Sequence, residues 1–366
     1  MGAAMGFRSD HDRSVVAALC QRYSAANALL TDTGTSALIL ALGRILPPGG
    51  TVAFPGYSCI DLTSAAIGAG MRVRLYDIEP STLSPDLDSV EKVVARGVDA
   101  IVVAHLYGYP ADVLGVEAIA AEHGIPVIED AAQGAGGVLR GRLLGSFGDV
   151  ATLSFGRGKG MTSGSGGAVL VRTPELAGWT RSMHAELGVA SGGGREVMTL
   201  AAQSLLAYPS MYRLPASIPA LKLGEMVYHP PRAPRPMAAA AAVILASALR
   251  MDEREVQYRR AHAKTMLGLV ANSHSALPVQ PIAEGESGFL RLALLDTGSH
   301  RVPQPTIGAL RGYPMTLEQH PQLQPILLPG ERAGKGSESL RDRLFTLPTH
   351  SRVNLSDIAR LEKWLG

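Results

Sequence analysis

Four short segments of this sequence hold residue types that could do chemistry in concert. In Leu153-Ser154-Phe155-Gly156-Arg157-Gly158-Lys159-Gly160 an apolar run ends in a Gly-rich turn that displays one lysine. A partly buried turn lowers a lysine's pKa, which lets the amine act as a nucleophile and form an imine. In Val127-Ile128-Glu129-Asp130-Ala131-Ala132-Gln133 an apolar strand ends in acids, so Asp130 falls at the carboxyl edge where open α/β sheets bind ligands. In Thr33-Gly34-Thr35-Ser36-Ala37-Leu38 a glycine turn enters a helix. Its first amides and the Thr35 and Ser36 hydroxyls offer donors to a phosphate. Gly164-Ser165-Gly166-Gly167-Ala168 permits close backbone approach beside the lysine turn.

Each segment also has a plain reading: a helix cap at Thr33–Ser36, an N-cap at Asp130, an exposed loop lysine at 159 and a simple turn at 164–168. The lysine segment is no phosphate-binding P-loop, because GxxxxGK[ST] requires Ser or Thr where Gly160 stands. Taken together, the segments meet the requirements for holding and activating pyridoxal phosphate. Gly34, Thr35, Ser36 and Ser154 would hold its phosphate. Asp130 would keep the pyridine nitrogen protonated, Gln133 could reach the ring hydroxyl, and Lys159 would form the imine.

The elements that must position these residues alternate along the chain. Runs at Val52–Phe54, Arg72–Tyr76, Ala100–Ala104, Pro126–Ile128, Ala151–Phe155 and Ala168–Val171 read as strands. Between them, Ser36–Leu46, Asp61–Ala69, Leu87–Ala95 and Gly115–His123 have helical length. That pattern predicts α/β layering around a mainly parallel sheet. From Thr173 the pattern breaks into Gly192–Gly194, an apolar stretch from Val197 and a Pro-punctuated passage to Pro236, which reads as an inserted arm at about 190–236. A long helix from Met237 to about Val270, short strands near Gly288–Leu295 and a final helix from Ser356 to Leu365 predict a small α+β domain. The expected division is 1–236 for a large domain and 237–366 for the long helix and small domain.

Composition limits the partners. With 34 basic against 32 acidic residues in 366, no charge excess exists to track a nucleic-acid backbone. The chain is 46% hydrophobic, with a mean hydropathy of +0.13, as expected of an ordinary globular interior. Cys20 and Cys59 are too few to frame the fold by disulfides, which fits a reducing cytoplasm. The charged N-terminal stretch lacks the plan of a signal peptide. The most apolar run, Met237–Leu249, reaches about 13 residues against the ~20 needed to span a bilayer. Histidine spacing offers no metal site, and His105 reads as a histidine satisfied by backbone groups. The apolar arm reads as an interface to a subunit or to the core rather than to a membrane.

In order and spacing, Gly34-Thr35-Ser36-Ala37-Leu38, His105-Leu106-Tyr107-Gly108, Glu129-Asp130-Ala131-Ala132-Gln133, Gly145-Ser146-Phe147-Gly148-Asp149, Ser154-Phe155 and Lys159 resemble the DegT/DnrJ/EryC1/StrS family of sugar aminotransferases. Gly312-Tyr313-Pro314 and Leu347-Pro348-Thr349-His350 resemble its C-terminal segments. The resemblance implies a fold-type-I pyridoxal-phosphate transferase, a homodimer with shared sites. It also implies transfer of an amino group from glutamate or glutamine to a keto-sugar or cyclitol, in secondary-metabolite or glycan biosynthesis. It implies Lys159 as imine lysine and proton shuttle, Asp130 at the pyridine nitrogen, Gln133 at the ring hydroxyl, and Ser154 with Thr35 and Ser36 at the phosphate.

Two departures stand out. Where many members place an aromatic against the cofactor ring, this chain has Cys59, with Tyr57 as the other candidate. Where the family commonly reads Asn-x-Arg-Met, it has Pro234-Arg235-Pro236-Met237. Two other functions remain open: elimination or dehydration on the same fold, against which Lys159 argues, and a catalytically silent scaffold.

Overall fold

The computed structural model describes residues 10–194, 197–198, 228–271, 276–298 and 302–365. The Val- and Ile-rich runs form a seven-stranded sheet. Across it lie, in order, Asn27–Thr31, Gly167–Val171, Val150–Ser154, Val127–Asp130, Ala100–Ala104, Thr51–Pro55 and Arg72–Tyr76. The last five pair in parallel, while Gly167–Val171 runs antiparallel to both neighbours. A parallel neighbour needs a crossover, usually a helix, and the lysine turn between Ser154 and Gly167 holds none. The sheet is therefore mixed and mainly parallel.

Strands Thr51–Pro55 and Ala100–Ala104 are buried at every position, as expected of strands covered on both faces. Helices Gly34–Ile45, Asp61–Ala69 and Pro174–Leu187 cover one face around Leu42, Leu62, Val102 and Leu176. Leu87–Ala95 and Val113–Glu122 cover the other through Val93 and Val116. Helix Asp10–Tyr23 closes the remaining end with Val15 and Leu19.

The 33-residue helix Ala239–Ala271 ties two cores together. At 1.5 Å per residue it runs about 50 Å. Ala241, Ala242 and Leu245 pack with Leu30 and Ala151 of the large sheet, whereas Met266 and Val270 pack with Leu292 and Leu347. The latter belong to an antiparallel sheet ordered Ala276–Pro278, Arg291–Asp296, Leu344–Pro348 and Leu310–Arg311, against which Leu355–Leu365 packs. Residues 199–227, which hold most of the apolar arm, lie outside the described residues. Among the described residues no helix is long and apolar enough to cross a membrane.

Alternation along Val127–Asp130 turns Glu129 and Asp130 to opposite sides of the sheet. Glu129 is fully buried and accepts hydrogen bonds from the Gly145 amide (2.6 Å), the Phe147 amide (2.7 Å) and His105 Nε2 (2.8 Å). The Ala111 amide donates to His105 Nδ1 at 3.0 Å, so the ring proton sits on Nε2. His105 is thus satisfied by a backbone amide and a carboxylate. Replacing Glu129 by Ala strips three donors of their partner, and should lower unfolding free energy by at least about 3 kcal/mol, read from the denaturant midpoint at unchanged m-value.

Candidate active site

Because most strands point the same way, their carboxyl ends deliver side chains to one edge of the sheet. Strand Val127–Asp130 ends on Asp130, Val150–Ser154 ends on Ser154, and Asn27–Thr31 leads to the helix starting at Gly34. A cavity of about 510 Å³ opens there. Gly34, Thr35, Ser36, Cys59, Asp130, Gln133, Ser154 and Lys159 all line it, so the structure brings every residue proposed from the sequence to one place.

At one end stands the helix start. Thr33 caps it by accepting from the Ser36 amide at 3.0 Å, and its hydroxyl donates to Ser36 Oγ at 2.9 Å. The Ser36 amide is therefore spent on the cap, while its hydroxyl hydrogen stays available. The Gly34 and Thr35 amides have no partner within the helix, as for any first turn. Ser154 faces them closely: a Cβ on Gly34 would stand 2.6 Å from Ser154 Cβ and 2.8 Å from its Oγ. A Cβ on Gly167 would likewise meet Thr33 O at 2.4 Å. These glycines let the lysine-bearing strand pair press against the helix start.

At the other end lies Asp130. Burial pushes its carboxyl above the usual carboxylate range; the Ala132 amide, Lys159 and His105 pull it back only in part, and Asp61 adds to the rise. Its hydrogen bonds are one from the Ala132 amide at 3.0 Å and a long one from Thr152 Oγ1 at 3.5 Å. No cation pairs with it among the described residues. Lys159 is half-buried on a turn that Gly158 makes at φ +76, its own amide donating to Gly156 O at 3.3 Å.

Cys59, not Tyr57, lines the cavity. Its thiol donates to Asp61 Oδ2 at 3.4 Å and is pushed up to about 12, first by burial and then by Asp61, so it stays neutral. Tyr57 is fully buried elsewhere, its hydroxyl accepting from the Tyr313 amide at 2.6 Å. Gln133 accepts from the Tyr107 amide at 3.0 Å and donates to Tyr313 Oη at 2.5 Å.

Sequence reasoning missed Asp32 and Asp61, and the segment His229–Arg232, which also lines the cavity. That segment is tied in cis: Ser64 Oγ donates to His229 O at 2.8 Å, and the Asp32 amide donates to Arg235 O at 2.9 Å. The proline density of 230–236 was a signal of a rigid, extended course, but not of its destination.

Among solved structures, the fold matches the aminotransferase TlmJ from Streptoalloteichus hindustanus with a TM-score of 0.77 at 23% identity, over 98% of this chain and 90% of that one. This is the fold-type-I transferase architecture. Residues 10–223 match the DegT/DnrJ/EryC1/StrS aminotransferase family, and the chain belongs to it. It is similar to the L-glutamine:2-deoxy-scyllo-inosose aminotransferase of Streptoalloteichus tenebrarius, with 42% identity over 40% of this chain and 34% of that protein. The namesake from Streptomyces fradiae is 28% identical over 84% of this chain and 65% of its own length. The chain thus spans less than two thirds of the length of these relatives.

The tight seating of Gly34 on Ser154 yields a test. Gly34→Ala should cost about 1–3 kcal/mol of stability in the wild-type background. It should cost less in a Ser154→Gly background, as measured by a double-mutant cycle of thermal denaturation.

Proposed function

We propose that this chain is a pyridoxal-phosphate-dependent aminotransferase that moves an amino group from glutamate or glutamine to a keto-sugar or keto-cyclitol. One observation carries this reading: Lys159, Asp130, Ser154 and the Gly34 helix start open on a single cavity. The cofactor fits those residues. The missing side chain at Gly34 lets Ser154 close on the helix start, and Asp130 is a buried carboxyl with no ion-pair partner among the described residues.

When bound, pyridoxal phosphate supplies an aldehyde that condenses with amines and a ring that takes up electrons. The Gly34 and Thr35 amides, the Ser36 hydroxyl and Ser154 Oγ would grip the phosphate at the positive end of the helix dipole. The Asp130 carboxylate would hold a proton on the pyridine nitrogen. Lys159 Nζ would take the proton from the donor's Cα and return it to the acceptor carbon in the reverse half-reaction. Cys59 would form the wall over the ring without competing as a nucleophile, since its thiol is held neutral.

The names of the relatives, with L-glutamine as donor and a keto-cyclitol as acceptor, support the substrate classes. Two free cysteines support a reducing cytoplasm, and the family resemblance supports a homodimer. An intact lysine and acid favour transfer over the dehydratase and scaffold readings.

Absorbance spectroscopy tests the activity. Wild type loaded with pyridoxal phosphate should convert to the pyridoxamine form when glutamine or glutamate is added, and a keto acceptor should reverse it; Lys159→Ala should do neither. Binding without conversion by any amino donor would favour elimination chemistry instead.

Asp130 makes a second prediction whose sign follows from its raised pKa. A carboxyl raised on folding stabilises the fold at pH below its unfolded value, and that contribution is lost as pH rises through the folded value. At neutral pH this charge therefore destabilises the cofactor-free fold. Asp130→Asn should raise the Tm of the cofactor-free protein at pH 7, yet weaken cofactor binding about 10- to 100-fold. Calorimetry of both forms reads the two effects separately.

A further inference from the structure

Gln133 sits on the cavity wall, yet its amide is gripped from behind. Oε1 accepts from the Tyr107 amide at 3.0 Å, and Nε2 donates to Tyr313 Oη at 2.5 Å. The first bond settles which way the amide points, because a backbone N–H can face only the oxygen. A carboxamide carries two donor hydrogens, and among the described residues only one is engaged, by Tyr313. With the oxygen and one hydrogen fixed, the planarity of the amide fixes the direction of the other.

Tyr313 is itself held by Tyr57 and Tyr107. Its amide donates to Tyr57 Oη at 2.6 Å, its ring stacks on Tyr107 at 5.7 Å and 29°, and it tilts against Tyr57 at 5.3 Å. Gly312 is what allows the approach, since a Cβ there would stand 2.1 Å from Tyr57 Oη. Tyr57 and Tyr107 follow two different strands of the large sheet, while Tyr313 comes from the C-terminal segment, 180 positions from Gln133. Burial holds all three phenols neutral, with pKa values raised above the ordinary tyrosine range.

We infer that Tyr313 is a positioning residue, which aims the remaining N–H of Gln133 at the ring hydroxyl of the bound cofactor and so makes the C-terminal segment part of the cofactor's environment. This rests on the pyridoxal-phosphate reading above. Tyr313 lines no part of the cavity itself and acts only through Gln133.

The test is a pH titration of the bound cofactor's absorbance in wild type, Tyr313→Phe, Gln133→Ala and the double variant. Both single variants should move the pH midpoint in the same direction, Tyr313→Phe by less. Tyr313→Phe should also weaken cofactor binding about three- to tenfold. In the Gln133→Ala background, Tyr313→Phe should change neither quantity. Tyr313→Phe keeps the ring contacts and the backbone bond to Tyr57 and loses one hydrogen bond, so the cofactor-free variant should melt within a few degrees of wild type. An effect of Tyr313→Phe that persists without Gln133, or a midpoint that Tyr313→Phe leaves in place, overturns the inference while the cofactor reading stands. A wild type that takes up no cofactor overturns both.

Discussion

The buried carboxylate of Glu129 is the tie on which the site depends. It joins His105, after one strand, to the Gly145 and Phe147 amides of the loop that precedes another. A carboxylate taken out of water is tolerated only when its lone pairs are met, and three short hydrogen bonds meet them. By occupying the interior side of its strand, Glu129 leaves Asp130 on the side that faces the cavity. The neighbouring acids therefore have opposite tasks, one satisfied and structural, the other short of partners.

That contrast defines the electrostatics of the cavity. At one end the capped helix offers amides and a positive dipole end; at the other a buried carboxyl has no ion-pair partner among the described residues. A ligand with an anionic group and a protonated ring nitrogen relieves both at once. The close glycine contacts at Gly34 and Gly167 keep the first end narrow, while Lys159 is carried on a turn between the two antiparallel strands. Catalytic sites store strain of this kind because a relaxed, self-satisfied pocket would gain less from its ligand.

Much of this was legible in the sequence because it rests on local pattern. Helices Asp61–Ala69 and Leu87–Ala95 lie where periodicity set them, and the six predicted strands fall within two residues of those observed. Helix Asp10–Tyr23 was not foreseen, although Val15, Val16, Leu19 and Tyr23 stand at helical spacing behind its charged first turn. Strand Asn27–Thr31 lacks the β-branched run that marks its neighbours. Helix Pro174–Leu187 carried its signal, a Thr173 cap followed by Pro and Glu, but the breaks beyond it masked the element. In the site, the spacing of Asp130 and Gln133 was readable, whereas the partner of Gln133 was not. No local rule links Gln133 to Tyr313, because only the packing of the C-terminal segment brings them together. The choice between Cys59 and Tyr57 at the cavity wall was likewise decided by tertiary packing, which buries Tyr57 against Tyr313.

The central claim is that Lys159 is the residue to which the cofactor is joined. Borohydride reduction of the protein incubated with pyridoxal phosphate, followed by peptide mass mapping, tests it directly. The account predicts a phosphopyridoxyl label confined to the peptide containing Lys159 and absent in Lys159→Ala. A label spread over surface lysines, or one unchanged in that variant, would contradict it.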